Sequence, residues 1–106
     1  MAITLAIIPS MAVDGVAATS FGSATSNIAL PGTPGSDAYV LVTNLGPLHV
    51  SVKLGTTNAV TVTTTTGVVI AAGQSLALTI GSNTYIAGIA HGSQGQGSTV
   101  NIATGN

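Results

Sequence analysis

The chain has 106 residues, of which 45% are hydrophobic, yet it carries one Lys, no Arg, two Asp, no Glu and no Cys. Charged side chains make up 3%, where an ordinary soluble domain has about a quarter. A single cation excludes a surface that tracks nucleic-acid phosphates, and the lack of Cys excludes a disulfide framework, zinc knuckles and thiolate catalysis.

No apolar run approaches the roughly 20 residues of a membrane helix, and the start Met1-Ala2-Ile3-Thr4-Leu5 has no basic region, so neither a membrane span nor a secretory signal is expected. Low hydrophobicity and high net charge, the marks of disorder, are both missing. The expectation is one compact all-β domain. A net charge of −1 also falls short of the roughly 2 to 8 charges that keep small domains apart. A neutral, Thr-rich surface suits a protein packed against copies of itself or against a large partner.

Residues 1–20 stand apart from the rest. Ile3, Leu5 and Ile7 alternate with Thr4 and Ala6 ahead of Pro9, which predicts a short extended segment. Small residues follow through Ala18 without a helical stripe. Residues 1–20 are therefore expected to be an N-terminal arm or a first strand, and residues 21–106 a β-sandwich domain. Two Pro-Gly steps make residues 31–37 a loop.

From Ala38 onward short strands succeed one another. Residues 39–43 are β-branched and apolar on both faces, as in a central strand. Asn44-Leu45-Gly46-Pro47 turns the chain, and Leu48, Val50, Val52 and Leu54 then alternate with His49, Ser51 and Lys53. Further strands are expected at 60–63, 68–70, 76–80, 84–90 and 99–103, separated by Gly-, Asn- and Thr-rich turns. Short strands at this spacing point to a small antiparallel β-sandwich, immunoglobulin-like or jelly-roll, with Leu41, Val50, Val52, Val62, Leu78 and Val100 in its core. No internal repeat emerges, and the lone unit Thr61-Val62-Thr63 is not a threonine ladder.

The inventory for chemistry is nearly empty. Only Asp14, Asp37, His49, Lys53 and His91 titrate near neutrality or hold a fixed charge. Asp14 precedes a Gly and Asp37 follows Gly-Ser, both turn positions where Asp binds nearby backbone. His49 and Lys53 share one strand face about 13 Å apart, which reads as a solvated face. His91 opens the Gly-rich loop 92–97 with no second ligand near it in sequence, so a metal there would need a site shared across chains. That loop lies between two strands and lacks the helix N-terminus of a phosphate loop. Phe21, Tyr39 and Tyr85 are the only aromatic rings apart from the histidines, and the two tyrosines are expected in the core rather than on a sugar-stacking surface. The reading is of a protein that is no enzyme, with no cofactor, metal or catalytic residue.

The run Ala38 to Gly46, the run Val50 to Gly55, then Val69 to Leu76, Tyr85 to Ala90 and Ser98 to Ile102 resemble segments of small structural proteins of tailed bacteriophages. The chain as a whole resembles capsid decoration (cement, head-stabilising) proteins. That resemblance implies a β-rich domain bound to the major capsid protein on the outside of a preformed shell, as a homo-oligomer with a trimer favoured, often with a terminal arm. It carries over no functional residue. Two alternatives stay open: a carbohydrate- or receptor-binding β-sandwich, and another self-assembling structural subunit such as a tail, fibre, fimbrial or surface-layer component.

Overall fold

The computed structural model describes residues 12–106. Eight strands account for its regular structure, and no helix occurs among the described residues: β1 (Val13–Gly22), β2 (Ser26–Ala29), β3 (Tyr39–Gly46), β4 (Val50–Gly55), β5 (Val68–Ile70), β6 (Ser75–Thr79), β7 (Tyr85–Ala90) and β8 (Gly97–Gly105). They form two four-stranded antiparallel sheets, ordered β1-β8-β3-β6 (sheet A) and β2-β7-β4-β5 (sheet B). Within them β1 pairs with β8, β2 with β7, β3 with β6 and β4 with β5. The chain is thus one long hairpin rolled so that successive strand pairs alternate between sheets, which is the jelly-roll order. Of the two sandwich topologies the sequence allowed, this one is realised.

The core lies between the sheets and is built by alternation. Val40, Val42, Val50, Val52, Val100 and Ile102 are fully buried, and their neighbours along each strand face the other way. Phe21 at the end of β1 fills the middle of this layer. Gly88 on β7 lies directly beneath it, and any Cβ there would run into the Phe21 ring, so Gly is required by close approach. Leu30, Ile70, Ile80, Ile86 and Ala90 complete the cluster, with Leu78 partly buried against it.

A buried polar group fixes the turn from β3 to β4. Asn44 is fully buried. Its Nδ2 donates to Leu48 O (2.7 Å) and Ile70 O (2.8 Å), while its Oδ1 accepts from Gly46 N (3.0 Å) and Ser98 Oγ (2.7 Å). All four hydrogen-bonding valences of the amide are filled, so its burial carries no unpaired group. The turn itself has a positive φ at Gly46 and a cis Gly46–Pro47 bond.

Several sequence expectations need correction. Leu41 is not in the core: Val40, Val42 and Asn44 face inward, and Leu41 shares the outward face with Tyr39 and Leu45. Tyr39 is likewise not a core residue, being 41% exposed. Residues 60–63 form no strand, because side chains take their backbone donors: Val62 N donates to Thr25 Oγ1 and Thr63 N to Thr66 Oγ1. Val62 is buried but stands outside the inter-sheet cluster. β2, whose residues Ser26–Ala29 are too mixed in polarity to alternate clearly, is a further strand of sheet B. Residues 13–20 belong to β1, which pairs with β8 along its length, so the boundary drawn at 20/21 falls inside a strand. The extended segment expected at 3–7 lies outside the described residues.

Candidate functional site

The two sheets treat their outer faces differently. On sheet B, residues 56–67 cross the outer face as an irregular loop. Asn27 Nδ2 on β2 donates to Asn58 O (2.9 Å) and Val60 O (3.2 Å), and Ser51 Oγ on β4 lies 3.5 Å from Thr64 O. Beneath this roof Ala87 and Ser51, which alternation turns away from the main core, are fully buried. Lys53 and His49 stay exposed on the uncovered part, in agreement with a solvated face.

Sheet A has no such roof among the described residues. Its register sets the outward side chains in rows across four strands. One row runs Val13–Gly105–Tyr39–Thr79, the next Val16–Ala103–Leu41–Ala77, and the third Ala18–Asn101–Thr43–Ser75. Val13 and Val16 are 57% and 58% exposed. An antiparallel sheet with one free face ordinarily alternates apolar-in and polar-out, yet two of these three rows are apolar or small and none holds a charge. The third row closes with a hydrogen bond between Thr43 Oγ1 and Ser75 Oγ (2.9 Å).

Among the described residues the edges of sheet A are as bare as its face. β1 and β6 are edge strands, and neither carries the Lys or Pro that commonly guards an edge. The one charge on β1, Asp14, is turned away at an irregularity between Val13 and Gly15, where its Oδ2 accepts from Thr33 N (2.8 Å). Asp37, nine-tenths buried, accepts from the same Thr33 N–H through its own Oδ2 (3.0 Å). The structure therefore brings together two carboxylates that lie 23 residues apart in sequence. Hydrogen bonding from the Thr33 side chain first, then from Asp37 and the Thr33 backbone, holds the Asp14 carboxyl below its ordinary range. Their partners are local backbone, so the pair ties the root of β1 to the 31–37 loop.

At the opposite end His91 acquires the neighbour its sequence context lacked. The His49 and His91 rings stand edge to face with centroids 6.5 Å apart, and His91 N donates to His49 O (2.9 Å). His91 Nε2 lies 2.7 Å from Ser51 Oγ, while His49 Nδ1 accepts from Ala72 N (3.4 Å). His49 Nδ1 is thus taken up by the Ala72 N–H and His91 Nε2 by Ser51 Oγ, so each ring has one nitrogen already engaged. Two imidazoles in this arrangement do not make a chelating pair. The Ser51–His91 contact has the spacing of a nucleophile and its base, but Ser51 is fully buried and no carboxylate orients the ring. It serves as a packing bond under the roof. The loop 92–97 is held by its own Gln96, whose Oε1 accepts from Ser93 N (2.9 Å).

Neither a family model nor a curated protein sequence matches this chain. Among solved structures, a chain from work on Bacillus endospore appendages, described as a novel family of disulfide-linked pili, superposes with a TM-score of 0.52 at 12% identity, over 91% of this chain and 88% of that one. The likeness is one of fold: a β-rich domain of matching size. This chain has no Cys, so the covalent link named for that pilus has no counterpart in its sequence.

Proposed function

We propose that the chain is a structural subunit, not an enzyme, which adds to the outer surface of a phage-type protein shell by apolar and backbone contacts. The observation that carries this reading is the uncharged face of sheet A, whose two edges carry no Lys or Pro among the described residues. Strand edges offer rows of amide and carbonyl groups that a partner strand completes, and an apolar face supplies the desolvated centre of an interface. The resemblance of residues 38–106 to phage structural proteins names the shell, its major capsid protein as partner and the virion exterior as location. Carbohydrate binding is disfavoured, since Tyr39 is the one strongly exposed aromatic ring outside the histidines among the described residues.

A second reading, a fibre-forming subunit, is favoured by the position of the free edges. They lie on opposite sides of sheet A, so pairing β1 of one copy with β6 of the next is a heterologous contact, the kind that builds a filament wherever the rotation between copies does not close a ring. One experiment separates the two readings. Purified protein is incubated alone and with undecorated phage shells, and both samples are imaged by electron microscopy. Added density on the shells with no fibres in the protein-only sample supports decoration, and fibres in the protein-only sample support polymerisation. Bare shells beside monomeric protein would overturn both.

A further inference from the structure

We propose that His49 and His91 form a clamp for an oxyanion, a carboxylate or a phosphate-like group, which takes hold once both imidazoles carry charge. The site lies at one end of sheet B and stands whether or not the chain adds to a shell. Register, free ring nitrogens and a missing counter-charge lead to it.

The pairing that sets Val50 opposite Ala90 continues one step further, to His49 opposite His91, where His91 N donates to His49 O (2.9 Å). Val50 and Ala90 are buried in the core, so alternation sends both imidazoles to the outer face of sheet B. There the rings stand edge to face with centroids 6.5 Å apart, His49 exposed and His91 half-buried.

Ala72 N engages His49 Nδ1, and Ser51 Oγ engages His91 Nε2. These contacts hold the rings. Among the described residues they leave His49 Nε2 and His91 Nδ1 without a protein partner. An imidazolium is a donor at both nitrogens. On protonation the two remaining positions are therefore both N–H donors, whichever tautomer each neutral ring adopts.

Like charges directly opposite across an antiparallel pair repel each other, and nothing in the chain offsets them here. The segments around the two rings, namely the 71–74 turn, the threonines at 63–66 and the loop 92–97, hold no ionisable side chain. The nearest charge is Lys53, four residues along β4 on the same outer face, which is another cation. Asp14 and Asp37, the only side-chain carboxylates of the sequence, sit at the opposite end on Thr33 N. Residues 1–11 add no ionisable side chain. Charged histidines at this place draw their counter-ion from outside the chain. An oxyanion with two adjacent oxygens accepts one charge-assisted bond from each ring and offsets the repulsion at the same time. Histidine gains its charge between about pH 8 and 5, so binding strengthens with acidity across that range.

The test titrates sulfate, whose own charge is constant from pH 8 to 5.5, into the full chain at fixed ionic strength. The histidine ring resonances are followed by NMR. At pH 5.5 both rings should shift together with a dissociation constant of the order of millimolar, as suits two charge-assisted hydrogen bonds at a solvated surface. At pH 8 binding should be weaker by about tenfold or more. His49→Gln, at an exposed position, should weaken the response of His91 by about tenfold with unchanged melting. Lys53→Gln should weaken it by less than about threefold. Formate in place of sulfate separates the sources: tighter formate assigns the clamp to a protein carboxylate, tighter sulfate to a phosphate-like group, and either supports it. Rings indifferent to both anions at pH 5.5 would overturn the proposal. So would equal binding at pH 8, or a His49→Gln protein that binds as the parent does.

Discussion

The outer faces of sheets A and B start from similar sequence and end differently. Both present small and β-branched residues, yet residues 56–67 roof sheet B while sheet A stays open among the described residues. The roof turns the outside of sheet B into a second, minor core in which Val62, Ala87 and Ser51 are buried. On sheet A the equivalent apolar side chains, Val13, Val16 and Tyr39, remain in contact with water. Similar chemistry therefore serves stability under the roof and availability on sheet A, while Val69 on β5, beside the roof on sheet B, is 52% exposed as well. The difference teaches that an exposed apolar row is read against what the same chain does elsewhere: among the described residues, the loop 56–67 covers one face and nothing covers the other.

The contrast breaks most sharply under a charge. Val62→Asp would bury an unpaired carboxylate beneath the roof, at a cost of several kcal/mol, which is a large part of a small domain's margin of about 5 to 15. Loss of a cooperative urea transition, or a collapse of its midpoint, is expected. Val16→Asp places the same group on the open face and should move stability by no more than about 0.5 kcal/mol. Equal destabilisation by both would show that the face of sheet A is not open in solution.

A finer substitution tests the fastening of the roof. Asn27→Ala removes the donor that holds the exposed Asn58 O and the part-buried Val60 O, at a cost of about 1 kcal/mol. Hydrogen exchange should quicken through residues 56–67 and stay unchanged in β8. Uniform quickening along the chain would mean that the roof and the sandwich unfold as one unit.

These two faces also mark how far the sequence could be read. The all-β class, the sandwich and the strands from Tyr39 onward follow from alternation and turn residues, and Val50, Val52 and Val100 are core residues as that alternation requires. The side of β3 was not legible, because both faces are apolar and the inward one ends in a polar residue. Asn44 reads as a turn residue, and only the convergence of Leu48, Ile70 and Ser98 around it makes its burial tolerable. Leu41, the larger side chain, consequently passes for the core face. Residues 60–63 mislead for a related reason: alternating Val and Thr suit a strand, but Val62 N and Thr63 N bond to Thr25 Oγ1 and Thr66 Oγ1 instead of to a neighbouring strand. The pairs Asp14–Asp37 and His49–His91 were invisible because each is joined across the rolled hairpin and not along it. The open face itself was half visible, in the near absence of charge, while its place on sheet A depends on strand order, which local pattern does not encode.

Association through sheet A should be nearly independent of salt. No ion pair is available on the face, and screening acts on charges alone. Between about 50 mM and 1 M salt the affinity for a shell, or for a second copy, should change by less than about threefold, with a slight gain at high salt, since salts excluded from the protein surface favour apolar burial. Stripping by salt would relocate binding to the His- and Lys-bearing side of the molecule and reverse the comparison of the two faces.

The smallest expected effect concerns the rim of the open face, where Asp14 anchors the root of β1. Its folded pKa lies below the ordinary value of 3.8, through hydrogen bonding from the Thr33 side chain, then Asp37, then the Thr33 backbone. A depressed carboxylate stabilises the fold above its unfolded pKa, and that contribution is lost as pH falls through the folded one. Asp14 therefore adds nothing to the pH dependence between about pH 5 and 8, and its contribution fades below about pH 4. Solvent around this exposed carboxylate keeps the effect small. Asp14→Asn should lower stability slightly at neutral pH, where the neutral amide accepts the Thr33 N–H less strongly, and should flatten the decline on acidification. Thermal melting at pH 7 and pH 3 for the two proteins measures the difference: the gap between them should close at the lower pH. A gap that widens on acidification would mean that Asp14 is stabilised in its protonated form, and the rim of sheet A would then be held by a proton instead of by the Thr33 amide.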